Sequence, residues 1–123
     1  MMQPMVGTNP GSAVRLVNFR IPDNQITEGK PVAKIWINAQ SSDLKITQGV
    51  WDCTAGEFTW DYTWDEFMMI LEGEARITPK VGSSFTLHAG DFAHFPPGVQ
   101  VKFQVPRYIK KTFVIRTPDP LKL

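Results

Sequence analysis

Apolar and polar residues alternate along short stretches of this chain, and turn-forming residues separate the stretches. Residues 99–105 (VQVKFQV) alternate strictly, with the two-residue period of a half-buried strand. Residues 33–37 (AKIWI) do the same. Residues 46–53 (ITQGVWDC) and 58–64 (FTWDYTW) are rich in β-branched and aromatic side chains and predict two more strands. The strongest apolar stretch is 66–78 (EFMMILEGEARIT), with Gly73 at its centre. Residues 85–87 and 92–95 predict short strands, and 110–116 (KKTFVIR) predicts a last one. Residues 12–19 (SAVRLVNF) suit a short strand or one helical turn, and 20–31, with Pro and Gly among polar residues, predict a loop. No later stretch holds helical spacing over ten residues, and no period repeats. The reading is one all-β domain over 31–117, preceded by an arm and loop over 1–30 and followed by a tail over 118–123.

Composition sharpens this picture. Ten Pro and nine Gly in 123 residues favour a barrel or sandwich of short strands. The length exceeds the roughly 70–80 residues below which a domain needs disulfide or metal staples. Thirteen basic residues nearly balance twelve acidic ones, and a net charge of +1 gives no reason to expect nucleic acid or an anionic membrane as partner. Cys53 is the only cysteine, so no internal disulfide forms, which fits a reducing compartment. The first residues carry no signal-peptide core, and the longest apolar run, 67–71, falls far short of the ~20 residues of a membrane helix. These features lead us to expect a cytoplasmic protein. No Ser-His-Asp arrangement, phosphate-cradling loop, dinucleotide fingerprint or C-x-x-C motif is present.

Two stretches carry a resemblance. Glu66, six intervening residues and Gly73 are similar to the E-x6-G half of the first cupin motif, G-x5-H-x-H-x(3,4)-E-x6-G. Gly90, five residues and Pro96-Pro97-Gly98 match the G-x5-P-x-G half of the second, G-x5-P-x-G-x2-H-x3-N. The chain therefore resembles the cupin superfamily over about residues 50–116. The pattern Trp60-x3-Trp64-Asp65-Glu66 with Leu71-Glu72-Gly73 looks like its type-3 branch, which includes ureidoglycine aminohydrolases and an ethanolamine-utilisation cupin. The resemblance implies a jelly-roll β-barrel of two facing antiparallel sheets, with an open mouth, and a homodimer. A pair of edge strands that need covering points the same way.

The metal ligands that the family uses are mostly missing here. Counting back from Glu66, the His positions of the first motif fall on Trp60 and Tyr62, or on Thr59 and Asp61. The His of the second falls on Val101 and its Asn on Val105. A divalent metal wants several N, O or S donors, and one carboxylate among Trp, Tyr and Val does not supply them. The expectation is no cofactor and no metal site of the usual cupin kind.

If Glu66 points inward as the resemblance implies, strand alternation sends Trp60, Tyr62, Trp64, Met68 and Ile70 the same way. Val99, Val101, Phe103 and Val105 share one face of the later strand. The expected cavity is aromatic, lined by Trp60, Trp64, Met68, Val101 and Phe103, with Glu66 and Tyr62 as the candidate catalytic pair. Glu66 is either a general base or anchor, or a carboxyl hydrogen-bonded to Tyr62 or another core polar group. The aromatic residues either box a ligand or simply fill the barrel. His88 and His94 sit at no cupin ligand position and read as structural or solvated, with an unusual site joining His94 to Glu66 left open. Phe67, Met69 and Leu71 face away from Glu66, toward another sheet or subunit. Lys110, Lys111 and Arg116 read as a solvated strand face, and Cys53 as a buried small apolar residue.

Three functions follow: a metal-free cupin binding a small molecule, a metalloenzyme acting on a ureido or amino compound through unusual ligands, or a non-catalytic interaction module with a filled barrel.

Overall fold

Three long strands carry the architecture. The computed structural model describes residues 16–123, so the arm expected over 1–12 and part of the 12–19 stretch lie outside it. The strands are β1 (Val17–Phe19), β2 (Ile26–Gly29), β3 (Ala33–Gln40), β4 (Ile46–Asp61), β5 (Asp65–Pro79), β6 (Phe85–His88), β7 (Phe92–Phe95) and β8 (Gln100–Arg116). A 3-10 turn at Asp23–Gln25 leads into β2, and the described residues contain no α-helix. No helix among them is long and apolar enough to cross a membrane.

The predicted strands at 46–53 and 58–64 fuse into one bent strand that stops at Asp61, leaving 62–64 as a loop, and those at 99–105 and 110–116 fuse into another that starts at Gln100. Central β8 pairs with both β4 and β5 along its length. All pairings are antiparallel. One half of the fold runs β1-β3-β4-β8-β5-β7, and the other runs β2-β4-β8-β5-β6. The two facing antiparallel sheets of a cupin jelly roll thus share their three long strands, and the whole stays open, with β1 and β7 at the edges of one half and β2 and β6 at the edges of the other.

The bend is written into the register. On β4 the pairing with β8 shifts between Thr54 and Gly56. Buried residues there switch from odd positions, Trp51 and Cys53, to an even one, Phe58. On β5 the shifts fall at 70–72 and 73–76, and the buried set moves from Met68 and Ile70 to Ala75 and Ile77. Such bulges let each strand turn a corner and still aim apolar side chains at one core. Gly73 makes this possible, with φ +74°, because a Cβ there would collide with the backbone oxygen of Tyr108.

Residues 20–31 depart from the loop reading. Ile26–Gly29 forms an edge strand because β4 supplies its partners, from Phe58 to Gly56, not because its own pattern is apolar. The tail also docks: Leu121 N–H donates to Leu44 O at 2.8 Å, and Gln40 Nε2 donates to Leu121 O at 2.9 Å. Cys53 is fully buried as expected, and burial pushes its thiol up to about 12.

The expected outcome of Gly73→Ala is a loss of about 1–3 kcal/mol, the usual cost of forcing a side chain into a left-handed, crowded position. Urea denaturation reads it. An unchanged midpoint would show that the bend does not need the glycine.

Candidate functional site

The inward residues at one end of the bent sheets leave a cavity of about 90 Å³. β4 contributes Trp51, Phe58 and Trp60 to its wall, the 62–64 loop contributes Tyr62 and Trp64, and β5 contributes Glu66. β8 adds Phe103, Lys111, Phe113 and Ile115, while Phe19 and Ile35 of β1 and β3 complete the lining. Two hydrogen bonds hold the loop in place: Tyr62 N–H donates to Val99 O at 2.8 Å, and Gly98 N–H donates to Tyr62 O at 2.7 Å. The Pro96-Pro97-Gly98 turn therefore positions Tyr62.

The polar centre is an ion pair. Lys111 Nζ donates to Glu66 Oε2 at 2.6 Å, with the two side chains only 8% and 11% exposed. The ammonium also lies 4.7 Å from the centroid of the Trp51 ring and 5.8 Å from that of Phe103. Both contacts favour the cation, since aromatic faces are electron-rich. Tyr62 is buried and stacks on Phe95 with centroids 4.7 Å apart. Burial, with the nearby Glu66 carboxylate, holds its phenol well above the ordinary value. It therefore stays protonated across the physiological range and can donate a hydrogen bond.

Of the residues expected from sequence, Glu66, Tyr62, Trp60, Trp64 and Phe103 meet in the cavity. Met68 and Val101 do not line it. Both are buried in the hydrophobic cluster instead, where facing inward brings them into solid core and not to the open end. Of the two partners expected for the carboxyl, Tyr62 or another core polar group, the structure shows the second, Lys111.

Lys111 is the residue that sequence reasoning misses, because beside Lys110 and with Arg116 it reads as part of a solvated strand face. A signal existed. Adjacent strand residues point to opposite faces, so Lys110 and Lys111 cannot both face water by the same route. Lys111 shares parity with Ile109, Phe113 and Ile115, all buried. Lys110 turns the other way, with Nζ 3.5 Å from Glu72, and is itself buried. Arg116 is exposed, as expected.

The histidines stand apart from the cavity. His94 lies opposite Phe67 in the β5–β7 ladder, on the face away from Glu66, so the two do not come together. Its Nε2 shares a hydrogen bond with Asp65 Oδ1 at 2.8 Å, and Phe67 stacks on its ring at 4.3 Å. Arg116 holds the other Asp65 oxygen at 2.9 Å. These two hydrogen bonds, His94 first, draw the Asp65 carboxyl below its ordinary range. His88 is exposed and sits 3.6 Å from both Glu74 and Asp91.

The donor set does not fit a metal of the usual cupin kind. The one carboxylate is engaged by an ammonium, and its neighbours are indole, phenol and hydrocarbon. No three His, Cys, Asp or Glu among the described residues come close enough to hold an ion.

A family model described as the EutQ-like cupin domain matches residues 40–113. Among solved structures, the chain is similar to a putative ethanolamine utilization protein of Salmonella typhimurium, with 22% identity, 72% of each chain covered and a TM-score of 0.63. It is similar to the EutQ protein of Clostridium difficile, with 20% identity over 74% of this chain and 66% of that one, TM-score 0.65. A protein of unknown function from Pseudomonas syringae shares 24% identity over 81% of this chain, TM-score 0.74, but the match spans only 43% of that protein. At these identities the likeness is one of fold. No curated protein matches the chain.

Removing one partner of a buried ion pair strands the other charge. Glu66→Leu and Lys111→Met are each expected to cost about 3 kcal/mol or more, and the two changes together less than either. Denaturant unfolding of the three variants checks this. Strictly additive losses would mean that the two groups do not interact.

Proposed function

The chain belongs to the EutQ-like cupin domain family, and on that footing we propose that it binds a small organic molecule in the aromatic cavity, with the Glu66–Lys111 pair as polar anchor and no metal. The observation that carries this reading is the ion pair itself. A strong cation and a strong anion sit side by side in an otherwise apolar, partly open cavity. Replacing such a pair by hydrocarbon is commonly neutral or stabilising, so folding alone does not account for it. In this reading the Lys111 ammonium supplies the positive charge that a metal supplies elsewhere, Tyr62 donates a hydrogen bond, and the Trp60 and Trp64 rings flank the entrance. The single buried thiol suits a cytoplasmic setting.

We also propose a homodimer through the outer face of β5 and β7. Phe92 is 80% exposed, Phe67 50% and Met69 45%, forming an apolar patch of the kind that marks interaction surfaces.

The test of the cavity is a thermal-shift screen of small neutral organic molecules. A ligand at ten times its Kd is expected to raise the wild-type midpoint by about 5 °C and to alter Trp fluorescence. The Glu66→Leu, Lys111→Met double variant is expected to lose both responses. A wild type that answers to no molecule would favour the filled-barrel interaction module. For the dimer, light scattering is expected to give twice the chain mass, falling to one chain in Phe92→Lys; a monomeric wild type would refute it.

A further inference from the structure

An amine with a carboxylate 2.6 Å away, inside an aromatic cavity, is equipped for more than anchoring. A lysine attacks a carbonyl only with its lone pair free, and an adjacent base can free it for the reaction by taking a proton from the resting ammonium. Here the proton on Nζ has only to cross to Glu66 Oε2. We propose that Lys111 forms a covalent imine with small aldehydes entering the cavity, with Glu66 as the group that takes and returns the protons. This rests on the reading of the cavity as a small-molecule site.

The step balances within the pair. Lys111 gives one proton to Glu66, and the freed lone pair on Nζ attacks the carbonyl carbon. The π electrons move to the carbonyl oxygen, which takes the proton back from Glu66. A second proton then passes from Nζ to Glu66 and on to the hydroxyl, which leaves as water as the C=N bond forms. The net change is ammonium plus aldehyde to iminium plus water, with no oxidant or reductant. The iminium carries the same positive charge as the ammonium. It therefore keeps its partner in Glu66 and its place against the Trp51 ring, and the cavity holds no uncompensated charge at the start or end. The aldehyde's apolar group is left facing Trp60, Phe103 and Phe113.

Propanal with sodium cyanoborohydride, in an amine-free buffer, converts any imine to a stable propyl-lysine. Intact mass and peptide mapping are expected to place the propyl group on Lys111 about tenfold faster than on exposed Lys45 or Lys122, as a positioned base and enclosed site should allow. Glu66→Gln is expected to slow Lys111 alone by about tenfold or more. Lys111 labelling no faster than the exposed lysines in the wild-type protein overturns the proposal, whether or not that variant folds. Propan-1-ol, which cannot form an imine, separates the two ideas. If it raises the unfolding midpoint while Lys111 stays unmodified, imine formation is overturned and the cavity reading stands. If propanol has no effect and Lys111 stays unmodified, both are overturned.

Discussion

Everything in this molecule depends on three neighbouring strands bending at the same level. β4, β5 and β8 run 16, 15 and 17 residues. Straight strands of that length would reach about 50 Å, whereas a domain of this size is roughly 35 Å across. Each must therefore turn a corner, and neighbours hydrogen-bonded along their length must turn it together. The register shifts near Gly56, Gly73 and residues 106–107 lie beside one another in the ladders. Because the bulges on β4 and β5 also switch the parity of the buried positions, both halves of the folded sheet contribute to a single core. The open end of that core is the cavity.

The ion pair depends on this geometry in a way that strand pairing alone would not suggest. In the ladder Glu66 lies opposite Ile115, and Lys111 lies opposite Ile70. The two charges start four positions apart and meet only because both side chains extend along the inner surface. Each charge in isolation would be costly to bury. Together, with two aromatic faces around the ammonium, they form a polar point on an apolar wall.

That distinction explains what could be read in advance. The strands over 33–37, 66–78 and 92–95 were legible because their alternation, apolar runs and flanking turns are local. The cupin fold was legible because Glu66, Gly73, Gly90 and Pro96-Pro97-Gly98 keep the spacing of its motifs. The aromatic half of the site followed from parity around Glu66. β2 was not legible, since its partners lie on β4 and its own residues are polar. Met68 and Val101 had the right direction, but direction does not say how deep in the core a side chain ends. Lys111 was hidden by its neighbour: two lysines in sequence look like a charged surface, and only parity against Phe113 and Ile115 separates them.

The neutrality of the pair limits what can share the cavity with it. A cation drawn to Glu66 would have to displace the ammonium, and an anion drawn to Lys111 would have to displace the carboxylate. Either exchange leaves one of the original charges buried without its partner, at a cost of several kcal/mol. A neutral molecule meets no such penalty. It can take a hydrogen bond from Lys111 or Tyr62 through an oxygen while its hydrocarbon covers the aromatic walls, and the pair stays closed. The same logic applies to a covalent step, because only a reaction that returns a cation to Nζ leaves Glu66 satisfied. Amide formation at Lys111 would remove that charge and orphan the carboxylate, whereas an iminium preserves it. The electrostatics of the cavity therefore favour neutral carbonyl compounds over charged ligands, and reversible imine chemistry over acyl transfer.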